Sequence, residues 1–339
     1  MAFFLEPYPS VYPQSMSERW VEESALSEQL QGLVTRTQSG FFTVQTPNGP
    51  IVCQLRGKLK EAYKDTDLVA IGDRVTIEAQ PDGTGTVIAV EERERVLSRV
   101  APSSAVGTSA EREQVIIANP DQAIFVFAAA RPDPHVRMLD RFLVAAEKAS
   151  IPDILICVNK YDLVQDDPQP VRDIFEPYVA IGYPVLYVSA HTGAGIAALR
   201  ETLLGKISVF TGSSGVGKTS LLNTVEPDLG RRVNAVSRAT TKGRHTTRYS
   251  ELVPLAEGGW IADTPGIRAI SPWDVEPDEL DGYFIEIADR VADCKFPDCT
   301  HTHEPGCAVL AAVKRGAISP ERYDSYLRLR EELEEQYVY

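Results

Sequence analysis

The stretch Gly212-Ser213-Ser214-Gly215-Val216-Gly217-Lys218-Thr219 constrains this chain more than any other. It follows the apolar run Ile207-Ser208-Val209-Phe210-Thr211 and opens into Ser220-Leu221-Leu222, which reads as strand, glycine loop and helix start. Glycines let the backbone turn its N–H groups inward around phosphate oxygens at a helix N-terminus. Lys218 can then reach the β- and γ-phosphates, and Thr219 can hold Mg²⁺. The spacing predicts a nucleotide cradle from Gly212 to Ser220.

Upstream, strands and helices alternate. Ala123-Ile124-Phe125-Val126-Phe127 reads as a buried strand, and His135 to Ser150 has helical spacing through Leu139, Phe142, Leu143 and Ala146. Ile154-Leu155-Ile156-Cys157-Val158 and Val185-Leu186-Tyr187-Val188 read as further strands. This pattern predicts a parallel sheet, in which ligands bind at the carboxyl ends of the strands. Two candidate loops lie at such ends, Asn159-Lys160-Tyr161-Asp162 and Ser189-Ala190. A carboxylate can accept from guanine N1–H and N2–H₂, donors that adenine lacks. Asp162 is therefore expected to select guanine, with Asn159 and Lys160 framing the base and the Ala190 N–H meeting O6.

Downstream, Trp260-Ile261-Ala262 runs into Asp263-Thr264-Pro265-Gly266. A strand ending in this way supplies an aspartate near Mg²⁺ and a glycine N–H for the γ-phosphate, and Thr246 or Thr247 can complete the metal shell. The order is unusual, because the guanine-selecting elements precede the phosphate loop. Termini of compact domains lie close together, so a sheet can be cut and rejoined without changing which strand ends meet. The order implies a circular permutation.

From about Leu33 to Val96, short apolar segments recur between turns such as Thr46-Pro47-Asn48-Gly49 and Pro81-Asp82-Gly83-Thr84-Gly85. Such strands predict a small closed barrel of the OB type over residues 31–100. Arg56, Lys58, Lys60 and Lys64 favour an oligonucleotide face modestly, since Glu61, Asp65 and Asp67 lie among them. Residues 1–30 show no sustained period and read as an irregular arm. Ala101 to Ser109 reads as a polar link, and a circularly permuted α/β GTPase domain is expected over 110–272.

The C-terminal part, 273–339, carries Cys294-x₄-Cys299-x-His301-x₅-Cys307. Three thiolates and one imidazole can close a tetrahedral zinc shell, and a closed shell is structural. His303 competes with His301 for the fourth place, and Glu304-Pro305-Gly306 makes the turn that returns Cys307. Helices are expected over Ala308 to Arg315 and Pro320 to Gln336, with Glu331 to Glu335 a solvated face.

The chain has 339 residues and a formal net charge of −14, which argues against an indiscriminate nucleic-acid binder but allows a local basic face. The longest wholly apolar run, Ala123 to Ala130, is far too short to cross a membrane, and no leader is evident, so a cytoplasmic protein is expected. Between Gly205 and Tyr249, Lys206, Lys218, Arg231, Arg232, Arg238, Lys242, Arg244 and Arg248 face only Glu226 and Asp228. Such a surface can recognise a phosphate backbone.

The barrel, the guanine elements placed before Gly212 to Thr219, Gly243-Arg244-His245-Thr246-Thr247, Asp263 to Gly266, and Cys294-Lys295-Phe296-Pro297-Asp298-Cys299-Thr300-His301 together resemble the small-ribosomal-subunit-dependent GTPases, RsgA or YjeQ. The resemblance covers about residues 33–330. It implies a bacterial-type factor that joins the maturing 30S subunit and its 16S rRNA late in assembly, hydrolyses GTP in response, and leaves; a monomer is expected, although the sequence does not give the oligomeric state. It also implies that Cys294, Cys299, His301 and Cys307 are the zinc ligands, favouring His301 over His303.

Two departures stand out. Thr219 occupies a place where serine is usual, and either hydroxyl can reach Mg²⁺. The arm lacks the strongly basic character that some relatives have. Ile267 stands where many GTPases carry a water-orienting glutamine, so another group must position the nucleophile, and His245 is the candidate that both the residues and the resemblance favour. Two other classes fit parts of the pattern: a P-loop ATPase or kinase, which Asp162 opposes, and an RNA-binding zinc protein with a vestigial nucleotide site, which Lys218, Thr219 and Asp263 oppose.

Overall fold

The computed structural model describes residues 28–57, 68–100, 113–227, 250–263 and 275–337. Its first five strands, β1 (Gln29–Gln38), β2 (Phe41–Thr46), β3 (Gly49–Leu55), β4 (Arg74–Ala79) and β5 (Thr84–Val90), follow the segments expected to form a barrel. Their order is β1-β2-β3-β5-β4, and a further β1–β4 pairing closes the ring. Closure leaves no barrel edge unpaired, and the alternate residues Val34, Phe42, Val44, Cys53, Val75, Ile77 and Val87 fill the interior.

An antiparallel pair, β6 (Val96–Val100) and β7 (Glu113–Ala118), forms a separate two-stranded sheet and leads into the central domain. The expected polar link, Ala101 to Ser109, lies outside the described residues.

The central sheet runs β10 (Val185–Tyr187), β9 (Asp153–Asn159), β8 (Gln122–Ala128), β11 (Ile207–Thr211), β13 (Trp260–Asp263), β12 (Ser250–Pro254). All neighbouring strands are parallel except β12, which pairs antiparallel with β13. Every side chain of β8 is buried, as expected for a strand covered on both faces. At its far edge β12 pairs with the end of β1, so barrel and central sheet share one ladder.

The joint between them is tight. Gly72 has φ +87°, and a Cβ there would come within 1.9 Å of the Ala118 carbonyl oxygen, so no other residue fits without moving the backbone. Asn119 seals the seam: its Oδ1 accepts from the Glu94 N–H at 2.8 Å and its Nδ2 donates to the Gly72 carbonyl at 3.3 Å. Buried Asp73 takes both Nε and Nη2 of Arg93, at 2.7 and 2.8 Å.

Helix α1 (Val136–Lys148) is packed on two sides. Leu139, Phe142, Leu143 and Ala146, at the helical spacing noted above, enter the core of the sheet, while Val144 belongs to the core of the C-terminal helices. Those helices are α5 (Ile285–Val291), α6 (Ala308–Lys314) and α7 (Pro320–Tyr337), preceded by a 3₁₀ turn at Leu280–Tyr283. Between α1 and α5 come α2 (Gln169–Ala180), α3 (Ile196–Leu203) and α4 (Lys218–Val225).

An ion cluster lies within the α1–α7 seam. Arg322 on α7 is 3% exposed; it grips Glu286 of α5 through Nε and Nη2 at 2.7 and 2.9 Å, and Asp140 of α1 through Nη1 at 2.7 Å. Tyr178 of α2 also donates to Asp140, at 2.7 Å. Burial opposes the Arg322 charge, but Glu286 and Asp140 more than offset this and raise its pKa above the ordinary value. At the rim, Arg141 pairs with Glu332 and Arg137 with Asp324, so one residue of the acidic end expected to be merely solvated contributes to the seam.

Removing one partner of such a cluster strands the others. Arg322→Met is expected to destabilise the fold by about 3–5 kcal/mol, read as a lowered urea midpoint, because two buried carboxylates lose their cation. Adding Asp140→Asn and Glu286→Gln to the same chain is expected to recover much of the loss. A midpoint unchanged by Arg322→Met would show that the cluster contributes nothing.

Candidate nucleotide site and metal centre

The phosphate loop connects β11 to α4. Gly215 and Gly217 adopt φ +82° and +90°, a region that favours glycine. The one large side chain of the loop, Val216, is 2% exposed and plugs the core beside Leu155, Cys157 and Val188. Anchoring Val216 leaves the flanking backbone free to curve. Lys218 donates to the loop carbonyl of Ser213 at 3.0 Å and to that of Gly212, while Thr219 and Ser220 are exposed on the first turn of α4.

Asn159 ends β9 and is 1% exposed. Its Nδ2 donates to the Val216 carbonyl at 3.0 Å, and its Oδ1 accepts from the Ala190 N–H at 3.1 Å. One side chain therefore ties the phosphate loop to both candidate base loops. The fit leaves no slack, since a Cβ at Gly217 would stand 2.5 Å from Asn159 Nδ2. Lys160, with φ +60°, sends its amine to the Arg131 carbonyl. Asp162 lies on the 3₁₀ turn Tyr161–Val164, where its Oδ1 accepts from the Ser189 hydroxyl at 2.6 Å; that hydroxyl in turn accepts from the Thr192 N–H at 3.1 Å. Ser189 thus holds one Asp162 oxygen.

Asp263 terminates β13, which is directly beside β11, so the backbone brings it to the same end of the sheet as Gly212. His245, Thr246, Thr247 and Gly266 lie outside the described residues.

The permutation is visible as a junction. From the edge strand β10 the chain passes through α3 and only Leu204-Gly205-Lys206 before entering β11 in mid-sheet. The Trp260 N–H donates to the Lys206 carbonyl at 2.8 Å, fixing the entry.

At the C-terminus Cys294, Cys299, His301 and Cys307 each offer a ligand atom, all within 4.8 Å of one another. His301 Nδ1 is 3.6 Å from Cys294 Sγ and 3.4 Å from Cys307 Sγ. His303, the competing ligand, is exposed, and its Nδ1 bonds with the Thr302 hydroxyl. Three soft thiols and an imidazole converging at this separation suit a tetrahedral metal of the zinc type.

Glu304 shapes the loop, taking N–H donors from Thr300, Thr302 and His303 at 2.8, 3.0 and 3.1 Å. Slight burial works against its charge, but these bonds and the Thr300 hydroxyl hold its carboxyl below the usual range. Burial raises Cys307 as well, yet the Leu310 N–H and His301 outweigh it and lower that thiol. Cys53 and Cys157 differ in kind: burial alone pushes them up to about 11 and about 12, as for apolar core residues.

A glycine-loop strand flanked by the Asp263 strand on one side and by β8, β9 and β10 on the other, with the Asn159 loop entering before the phosphate loop, defines a circularly permuted P-loop GTPase. Comparison narrows the class. The model of the RsgA GTPase family matches residues 90–273, and that of the RsgA N-terminal domain matches 31–87. The chain belongs to the RsgA GTPase family. It is 44% identical over 305 residues to the small ribosomal subunit biogenesis GTPase RsgA of Gemmatimonas aurantiaca, covering 89% of this chain and 97% of the relative. Among solved structures, YjeQ from Thermotoga maritima superposes with TM-score 0.74 at 35% identity, over 90% of this chain and 99% of the other. YloQ, described as a circularly permuted GTPase, gives TM-score 0.71 at 29% identity over 92% and 98%.

Proposed function

We propose that this protein binds GTP with Mg²⁺ and hydrolyses it to GDP and phosphate while engaged with the maturing 30S subunit, and that hydrolysis releases it. The observation that carries this reading is Asn159, which holds the phosphate loop and the Ala190 loop in register and so supports base and phosphate sites that serve one nucleotide. In this reading Gly212 to Ser220 cradle the phosphates, Asn159, Lys160, Asp162, Ser189 and Ala190 take the guanine, and Gly266 meets the γ-phosphate. Thr219 and Asp263 would hold Mg²⁺, which neutralises charge developing on the phosphates. Lys218 stabilises that charge as well, with Thr246 or Thr247 completing the site and His245 positioning water.

Cys294, Cys299, His301 and Cys307 would hold one structural Zn²⁺. Residues 31–100, 110–272 and 273–339 would then act as barrel, GTPase and zinc-binding units of a cytoplasmic monomer, with 1–30 as an arm. No helix among the described residues is long and apolar enough to cross a membrane. The cations between Gly205 and Tyr249 suit 16S rRNA. Lys206 is paired with Asp153 at 2.8 Å and Lys218 is held in the phosphate loop, so the reading depends on the six arginines and lysines from Arg231 to Arg248.

GTP turnover with and without purified 30S subunits tests the reading. Subunits are expected to raise kcat by about tenfold or more, as an activating partner does for other GTPases, with the gain falling as salt is added. A rate indifferent to subunits would overturn the ribosomal part of the proposal.

A further inference from the structure

His301 has two ring nitrogens, and only one faces the thiols. Its Nδ1 points at Cys294 and Cys307, while Nε2 on the opposite edge lies 3.2 Å from Oδ2 of Asp281. The imidazole is fully buried, and Asp281 is half-buried on the Leu280–Tyr283 turn, 20 residues earlier in the chain. A carboxylate that accepts from one nitrogen fixes the tautomer, turns the ring and leaves the other nitrogen's lone pair directed at the metal.

We propose that Asp281 is the positioning residue of the metal centre, holding His301 so that Nδ1 and not Nε2 is the ligand. This rests on the reading of the four-residue cluster as a zinc site. The rest of the ring's surroundings support the assignment. The His301 backbone has φ +59°, and its carbonyl is fastened by the Tyr323 hydroxyl at 2.6 Å, so the main chain is held and the carboxylate sets the remaining freedom of the ring.

The turn that carries Asp281 is also gripped from the GTPase side. Glu279 takes Lys148 of α1 at 2.9 Å, and Leu280 is buried in the same core as Val144. Asp281 thereby links the metal ligand to the helix that covers the nucleotide-binding sheet. The zinc-binding loop and α1 are registered through one short turn.

Zinc affinity of the full-length chain, measured by competition with a chromophoric chelator, tests this directly. Asp281→Ala is expected to weaken Zn²⁺ binding by about 10- to 100-fold, and Asp281→Asn, whose amide oxygen can still accept from Nε2–H, to restore most of it. An Asp281→Ala chain binding as tightly as the parent overturns the proposal. Histidine ¹⁵N spectra of the unaltered, zinc-loaded protein supply a test that needs no variant. Metal on Nδ1 with a slowly exchanging Nε2–H on His301 is expected, and metal on Nε2 overturns the assignment. Failure of the parent chain itself to bind zinc would instead refute the metal reading on which this inference rests.

Discussion

Asp162→Asn is expected to turn the nucleotide preference from GTP to XTP. Guanine presents N1–H and N2–H₂ as donors, which a carboxylate can accept together; xanthine replaces the amino group with a carbonyl and requires a donor at that place. The Ser189 hydroxyl, which bonds Asp162 Oδ1 at 2.6 Å, determines what an asparagine would do here. Its amide oxygen would keep the bond to Ser189, leaving the NH₂ directed to where the ring's C2 substituent sits. An unpaired donor then faces the guanine amino group, and a site built for hydrogen bonds rejects the wrong partner strongly. The GTP:XTP affinity ratio should change by on the order of 10³-fold, read by competition against a fluorescent guanine nucleotide. Ser189→Ala in the same background should blunt the exchange by freeing the amide to rotate. If Asp162→Asn binds GTP as the parent does and ignores XTP, Asp162 does not read the base.

The features that could be read from the residues are those in which local chemistry decides. The barrel strands alternate because one face is buried, and Leu139, Phe142, Leu143 and Ala146 recur because α1 has one face on the sheet. His301 and His303 were equivalent by spacing alone. Packing separates them: His301 is buried against Asp281, whereas His303 remains in solvent. Pairings across long separations left no mark in the pattern. Arg322 meets Asp140 across 182 residues, and both sit among charges that a helical reading assigns to solvent. Strands β6 and β7 escaped for a similar reason, since neither segment is long or distinctive and their ladder exists only when the two pair. Asn159 was legible as a neighbour of the base, but its hold on the Val216 carbonyl depends on β9 and β11 ending at one level of the sheet, which the rearranged chain order conceals.

The second large effect concerns hydrolysis. His245→Ala is expected to lower ribosome-stimulated kcat by about 10²- to 10⁴-fold, the range for loss of a group that positions or deprotonates a nucleophile. Affinity for GTP should stay within about threefold, because the interaction lost is one made in the transition state. The reason lies in the sequence that follows Asp263. Ile267 follows Gly266 at the place where an amide side chain would orient water, and an alkyl group can neither donate nor accept a hydrogen bond. In the proposed reading the phosphate loop and Lys218 stabilise charge on the γ-phosphate, which leaves the attacking oxygen still to be placed. A titratable ring immediately before Thr246 and Thr247 supplies the missing function if those threonines close over Mg²⁺. His245→Gln separates the two roles open to the ring: glutamine can orient water without taking its proton, so it should rescue activity if positioning dominates and fail if proton transfer does. Single-turnover hydrolysis on 30S subunits, with nucleotide affinity measured in parallel, gives the comparison. A His245→Ala chain that turns over GTP at the parent rate would assign the nucleophile's placement to the ribosomal partner or to another residue of this chain.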